Sequence, residues 1–461
     1  MTDLPDGWVE TALDEIAATS LGKMLDARQR TGLHQTPYLR NVNVRWGAFD
    51  LSDVATMDIE PRELDRVLAQ PGDLVACEGG EPGRSAVWRG REAVALQKAL
   101  HKIRPAAGVL PDYLALLLRE QSSTGELDKL FTGTTIKHLP QEKLRLVRVP
   151  LAPTAEQERI VAAIEEAFSK LDAGEAGLRT VRQLLKRMRG AILAAAVTGR
   201  LVPQDPTDTP APKLLADLGI EPLEREDLPD LPDSWVHARL DALAGVHDCE
   251  HRTPKFSASG IPAFRPRDVV GGTLDLMGAA KVAEGEYLRQ SRRHALRPGD
   301  IVYSRELSLG WAAVLRSEPA CLSQGMVAIS PLSIAAEYLV LYLNGPGRQV
   351  AVASQAGSAH PHLNLRDIRA LRVPLPPREE QDRIVAEVER QMSFLDACER
   401  AVDAGLERSA ALRRSVLKAA FEGRLVPQDL TDEPASVLLE RIRAERVAAP
   451  KAKTRRAKAK S

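Results

Sequence analysis

The same seven residues, GRLVPQD, occur twice in this 461-residue chain, at 199–205 and again at 423–429, an offset of 224. The match runs backward without a gap: Val149, Pro150 and Leu151 against Val373, Pro374 and Leu375, Gln157 against Gln381, Arg159, Ile160 and Val161 against Arg383, Ile384 and Val385, and Leu171, Asp172 and Ala173 against Leu395, Asp396 and Ala397. Further upstream the halves correspond more loosely, with offsets drifting between 224 and 227: LPDGW at 4–8 with LPDSW at 231–235, Pro71, Gly72 and Asp73 with Pro298, Gly299 and Asp300, Gly83 with Gly310, Tyr113 with Tyr338, Gly133 with Gly357, and His138 with His362. A period this long is not that of a solenoid; it dictates duplicated domains, each a variable part followed by a similar part.

The similar parts are helical. From 155 to about 197, Ile160, Ile164, Ala167, Leu171, Gly174, Leu178, Val181, Leu185, Met188, Ile192 and Ala195 recur at alternating spacings of four and three, the heptad seam of a coiled coil. Thr154 and Gln157 have capping-box spacing, and Gly199 followed by Pro203 supplies the stop. At 1.5 Å per residue the helix is a rod of roughly 65 Å. The second copy keeps Ile384, Val388, Leu395, Val402, Leu412 and Val416 on its seam but also Gln391, Gly405 and Ser409, so its packing is expected to be looser. A lone rod cannot bury its seam. The natural partner is the other copy, paired antiparallel about a pseudo-twofold axis; the competing arrangement packs each helix on its own variable domain alone.

The expected class is α+β. It comprises a first variable domain (1–150), a long helix (151–202), an acidic linker (203–230), a second variable domain (231–373), a second long helix (374–426) and a C-terminal segment with a basic tail (427–461). Strands are expected after the Pro-Gly-Asp turns (73–76 and 300–303), short helices over 111–119 and 336–343, and closing strands over 144–149 and 368–373.

With 44% hydrophobic and 27% charged residues the composition is that of a globular chain. No apolar run is long enough to span a bilayer and the N-terminus lacks a signal-peptide pattern, so a cytoplasmic location is expected. Cys77, Cys249, Cys321 and Cys398 form no CxxC pair and read as reduced structural thiols. The 63 basic and 63 acidic residues balance, which argues against a free-standing protein that grips nucleic acid by charge alone. The tail from 441 onward is locally basic, suited to phosphate or to a solvated end.

Catalytic signatures are missing. EGGEPGRS at 78–85 has neither the spacing nor the lysine of a phosphate-binding loop, and no dinucleotide fingerprint, GxSxG or HExxH occurs. His247, Cys249 and His251 have a spacing that would align them on one strand face, but a loop facing solvent or DNA is the plainer reading, and no metal site is expected. Two similar, non-identical heads suit a target with two different half-sites. Candidate reading residues are Arg40, Asn41, Asn43, Arg45, Arg84, Thr135, Lys137 and His138 in the first head, and Arg252, Arg265, Arg267, Arg305, His360 and His362 in the second. Arginine and asparagine can read base edges bidentately, while lysine holds phosphate.

The doubled GRLVPQD, the EQxRIV stretches at 156–161 and 380–385, the Val-Pro-Leu lead-ins and the paired variable domains together resemble the specificity subunit of type I restriction-modification systems. The resemblance covers nearly the whole chain. It implies that the variable parts are target recognition domains and that the helices, through seam positions such as Ile160, Ile164, Leu171, Leu178, Leu185, Ile384, Val388, Leu395, Leu412 and Val416, set half-site spacing and dock two methyltransferase subunits. Restriction and translocation subunits then join, and no cofactor is expected on this chain: S-adenosylmethionine, ATP and magnesium would belong to the partners. The rival readings are a fused methyltransferase or nuclease with its own active site, and a coiled-coil scaffold that does not bind DNA.

Overall fold

The computed structural model describes residues 4–24, 32–224, 229–317, 319–355 and 362–448. The chain divides into two compact units, one formed by residues 1–178 with 404–461 and the other by 179–403.

In the first unit the chain is clasped where the variable part begins and ends: Val9–Ala12 pairs antiparallel with Arg148–Leu151. Between these strands lie two four-stranded sheets. One is ordered Ala17–Leu21, Leu100–Pro105, Leu74–Cys77, Ser85–Val87 and is antiparallel throughout. The other is ordered Ala55–Asp58, Gln35–Leu39, Val94–Leu96, Leu68–Ala69, with one parallel pair at its centre. The strand Leu74–Cys77 is buried on both faces, so it reads as an unbroken apolar run. Its side chains still alternate: Val75 and Cys77 point into the core between the sheets with Leu39, Leu96 and Leu100, while Leu74 and Ala76 join Tyr113, Leu117 and Ile160 in the core under the helices.

The second unit repeats this plan. Val236–Arg239 pairs with Arg372–Leu375. One sheet is ordered Ala244–Asp248, Met326–Pro331, Ile301–Ser304, Ala312–Val314, and the other Phe256–Ser257, Ala280–Val282, Ile261–Phe264, Cys321–Leu322. Phe264, Val302, Ala313, Met326 and Ala328 fill the space between them.

The long helices are Thr154–Ala196 and Arg378–Phe421, and they pack on one another. In the first unit Leu178 lies against Gly405, and Arg413 donates to Asp172 (2.5 Å) and Glu175 (3.1 Å), with Ser409 also donating to Glu175 (2.7 Å). In the second unit Arg182 meets Asp403, and Arg189 donates to Asp396 and Glu399 (2.5 and 2.9 Å). Within each unit one number falls as the other rises, so the helices run antiparallel.

The expected seam holds along much of both helices and slips by one residue after Ser409, near the end of the second. Ile160, Ile164, Leu185 and Ile192 are buried, as are Ile384, Val388, Leu395 and Val402. Leu171, Leu178 and Val416 are half-buried. Leu412, by contrast, is 52% exposed, and Val181 and Met188 are also exposed. The seam there passes through Gly405, Ser409, Arg413, Val416 and Ala420, a spacing nearer eleven residues over three turns than seven over two. A straight helix of 3.6 residues per turn drifts off a strict heptad in this way.

Other local expectations also change. Thr154 and Gln157 do not form a capping box: Thr154 Oγ1 donates to the Gly108 carbonyl (2.8 Å), and Gln157 donates to the Ala152 carbonyl (2.8 Å) while accepting from the Leu110 amide (2.9 Å). Both side chains tie the rod to the head. The closing strands begin later than expected, at Arg148 and Arg372, because Leu144 and Ile368 are buried on the one-turn helices Gln141–Leu144 and Leu365–Arg369 that precede them. The acidic stretch 203–230 contains a helix, Ala211–Asp217, whose first amide bonds the Ser234 carbonyl; the helix Ala435–Ala448 bonds the Gly7 carbonyl in the same way in the other unit. Among the described residues no helix is long and apolar enough to cross a membrane.

GRLVPQD works as a lock. Gly199 and Gly423 end their helices at φ of +69° and +67°, and a Cβ on either would lie 2.3 Å or less from Pro232 or Pro5. The amides of Arg200 and Arg424 close back onto Ala195 and Ala419 in a Schellman-type turn. Beyond the turn Gln204 donates to Glu380 (2.7 Å), which also accepts from Trp235 Nε1 (2.9 Å); Gln428 and Trp8 hold Glu156 identically, at 2.6 and 2.9 Å. Arg383 pairs with Asp208, and Arg159 with Asp432 (2.6 Å). Each unit therefore joins the EQxRIV of one half to the GRLVPQD of the other.

Candidate nucleic-acid interface

The polar candidates of the first head lie on three connected loops. The 3₁₀ turn Asn41–Asn43 is closed by Asn43, whose side chain accepts from the Arg40 amide (2.9 Å) and donates to the Asp50 and Asp53 carbonyls (both 2.9 Å). Asn43 is 2% exposed, so it shapes the loop and cannot reach a base, contrary to the expectation for it. Arg40 donates to the Asp53 carboxylate (2.7 Å), and Arg45 lies exposed beside Asp50 (3.4 Å).

Asn41 donates to the Gly79 carbonyl (2.8 Å), and Arg84 grips the Asn41 carbonyl (2.9 Å) and the Glu81 carboxylate (2.8 Å). Asn41 thereby joins its turn to the tight loop after Leu74–Cys77. A third loop completes the group: His138 bridges both Gly79 and Thr132, and a Cβ on Gly79 would fall 2.8 Å from its ring. The base of this loop is pinned by His101. Burial pushes that imidazole down to about 4, so it is neutral at pH 7, and its Nε2–H donates to the Leu139 carbonyl (2.8 Å). Thr135 and Lys137 are exposed on the same loop, Lys137 pairing with Asp128 (2.9 Å). Beside His138, Met24, Glu78, Gln97, Lys98 and Ala99 line an open cavity of about 470 Å³.

The second head has the same frame with different fittings. Its turn Pro266–Asp268 is closed by Asp268, which accepts from the Arg265 amide (2.9 Å) and the Arg265 guanidinium (3.0 Å). Arg265 is thus engaged locally, while Arg267 is 70% exposed and Arg252 is exposed. Arg305 is buried beside Asp248 (3.5 Å) and within 3.5 Å of His251. His362 Nδ1–H donates to the Glu306 carboxylate (3.0 Å), and the His362 backbone bridges Glu306 as that of His138 bridges Gly79. His360 falls outside the described residues.

The three residues with ligand-like spacing separate: His247 stacks on His294 at 4.0 Å, Cys249 is buried in the core, and His251 pairs with Asp248 (2.8 Å). Burial, with the neighbouring His294, lowers the His247 pKa. No cluster of three or more potential metal ligands occurs among the described residues.

Sequence reasoning missed Glu78, Gln97 and Lys98, which reach the cavity from strand ends, and Asp248 and Glu306, which orient Arg305 and His362. The glycine-rich EGGEPGRS was the available signal: it marks the tight loop on which Asn41, Trp46 and His138 converge.

Comparison with known proteins places this frame. Residues 272–407 match the family described as the type I restriction modification DNA specificity domain. The chain is 31% identical over 366 residues to the type I restriction enzyme EcoBI specificity subunit of Escherichia coli, spanning 76% of this chain and 73% of that protein. It is 24% identical to the EcoKI specificity subunit of Escherichia coli K12 over 99% of both chains. Among solved structures, a chain from a study of complex assembly and conformational transition of the type I R-M system superposes with a TM-score of 0.66 at 20% identity, covering 92% of this chain and 99% of the other. The HsdS subunit from Thermoanaerobacter tengcongensis superposes with a TM-score of 0.54, also at 20% identity, over 92% and 98%.

Proposed function

Because this chain belongs to the specificity subunits of type I restriction-modification enzymes, we propose that it reads an asymmetric bipartite DNA sequence and brings catalytic partners to it. It is the non-catalytic component of that complex. Residues 1–150 and 231–373 act as the two recognition domains, and the helices over 151–202 and 374–426 space them and dock two methyltransferase subunits, through which restriction and translocation subunits join. S-adenosylmethionine, ATP and magnesium are bound by those partners, and the complex works in the cytoplasm.

One observation carries the reading. Each head holds a 3₁₀ turn closed by a buried polar residue, Asn43 or Asp268, and a tight loop bridged to a histidine, His138 or His362, yet the residues at matching places differ: Val42 and Gly79 in one, Arg267 and Glu306 in the other. A conserved frame with exchanged contact residues is what reading two unlike half-sites requires. The balanced net charge supports dependence on partners for affinity.

The test is methylome sequencing of cells expressing the chain with its neighbouring methyltransferase. A split motif is expected. Replacing residues 1–150 by the corresponding domain of a relative should change one half of it and leave the other; a change in both halves, or methylation without a split motif, refutes the assignment.

A further inference from the structure

Among the described residues, Leu307 is the one non-glycine residue with a positive φ, +54°, and it is 86% exposed. Leucine is poorly suited to both conditions. The residue occupying the same place in the first head is Gly80, at φ +79°, where no such penalty arises. The backbone of the loop therefore needs a left-handed residue in both heads, and only the second places a bulky apolar side chain there.

The loop is rigid. Gly310 closes its base by donating to the Ser304 carbonyl (2.8 Å), Ser304 Oγ donates to the Glu306 carbonyl (2.8 Å), and the Leu363 amide donates to the Arg305 carbonyl (3.0 Å). From behind, Arg348 stacks over Trp311 (4.3 Å) and donates to the Leu309 carbonyl (3.0 Å). Leu309 turns inward and is 6% exposed, whereas Leu307, next in the chain to the Glu306 that pairs with His362, is left in solvent.

Resting on the DNA-reading function above, we infer that Leu307 is an apolar wedge that packs against, and partly unstacks, one base step of the half-site read by the second head. Strain held in a pinned loop is the pattern of a site whose geometry is fixed in advance for a ligand. Apolar side chains that enter between base steps do so from such fixed positions, beside polar groups that hold the backbone. A side chain presented this way loses little freedom on binding. The first head, with Gly80, would read its half-site without distorting it.

The probe is a set of duplexes carrying the methylome-defined site with 2-aminopurine at successive positions, and the protein is the full chain assembled with its methyltransferase partner. Beyond the base that each methyltransferase subunit extrudes for modification, wild type should raise 2-aminopurine fluorescence at one further step of the second half-site and at no further step of the first. Leu307→Gly and Leu307→Asn both tolerate the left-handed backbone, so they keep the fold and its melting temperature; they should abolish the signal and weaken binding about ten- to a hundredfold, the worth of burying one leucine side chain. Leu307→Met should retain both. If Leu307→Gly binds with wild-type affinity and signal, or loses the methyltransferase partner while keeping DNA, the wedge is refuted and the DNA-reading function stands. If the wild-type complex selects no duplex, both fall together.

Discussion

Removing the indole donor from the lock of the second unit should loosen it. Trp235 is fully buried, and its Nε1–H donates to Glu380, itself 1% exposed, at 2.9 Å. In Trp235→Phe the carboxylate keeps only Gln204. A hydrogen bond to a charged group contributes about 1.5–3 kcal/mol, and the smaller ring forfeits roughly another 1 kcal/mol of burial and packing. The expected loss is about 3 kcal/mol, confined to residues 179–403. Because two units need not unfold together, the measurement is hydrogen exchange resolved by peptide. The strands Ile301–Ser304 and Met326–Pro331 should lose protection while Leu74–Cys77 and Leu100–Pro105 keep theirs. The sign of the pH dependence is also fixed. Burial raises the Glu380 pKa above its ordinary value, so the folded unit binds more protons than the unfolded one and its stability falls as pH rises through that pKa. Losing a donor raises the pKa further, so the deficit of the variant should be largest at neutral pH and shrink on acidification as the carboxyl takes up its proton in both proteins. A deficit under 1 kcal/mol, or one that grows on acidification, refutes the account of the lock.

Gly405→Ala should be neutral or stabilising by up to about 1 kcal/mol, because helix propensity improves and the atom its Cβ meets at 2.9 Å is the mobile end of Leu178; a loss above 1 kcal/mol in denaturant unfolding would mean that this contact is rigid. Arg413→Ala removes a side chain lying 5.0 Å from the Phe168 ring and bonded to Asp172 and Glu175, and should cost about 2 kcal/mol in the first unit, with Arg413→Met recovering part of it through packing; equal losses would assign the effect to charge alone. Arg267→Ala, at a side chain 70% exposed and no nearer than 3.8 Å to Asp268, should leave the melting temperature nearly unchanged and weaken DNA binding by the complex about tenfold; unchanged affinity would remove it from the interface.

The repeat made the duplicated architecture legible because its fixed residues are those whose contacts are most exacting: Trp8 with Glu156, Tyr338 with the Pro374 carbonyl, glycines appressed to prolines. The seam was readable where Ile160 and Ile164 bury against a head, and misread at Leu412, where a heptad template was applied to a helix that follows its own pitch. The helix Ala211–Asp217 was hidden by the prolines and acids around it, although its counterpart after Asp432 lies at the repeat's offset. The interface was legible only as a region. Nothing in the residue types distinguishes Asn43, whose amide is engaged inside its own turn, from Asn41, which fastens two loops together. A side chain's availability depends on neighbours brought from forty residues away, and single-chain pattern carries no record of them.

The cross-fastened locks impose an order on folding during synthesis. Residues 179–403 are continuous, so the second unit has all its parts as soon as they leave the ribosome. The first unit waits: Tyr113 lacks Phe421, Glu156 lacks Gln428, and the surface that Leu438 and Ile442 cover stays bare until the last sixty or so residues are translated. A nascent chain that has not yet passed residue 403 would therefore carry its defect at the beginning, in the domain made earliest.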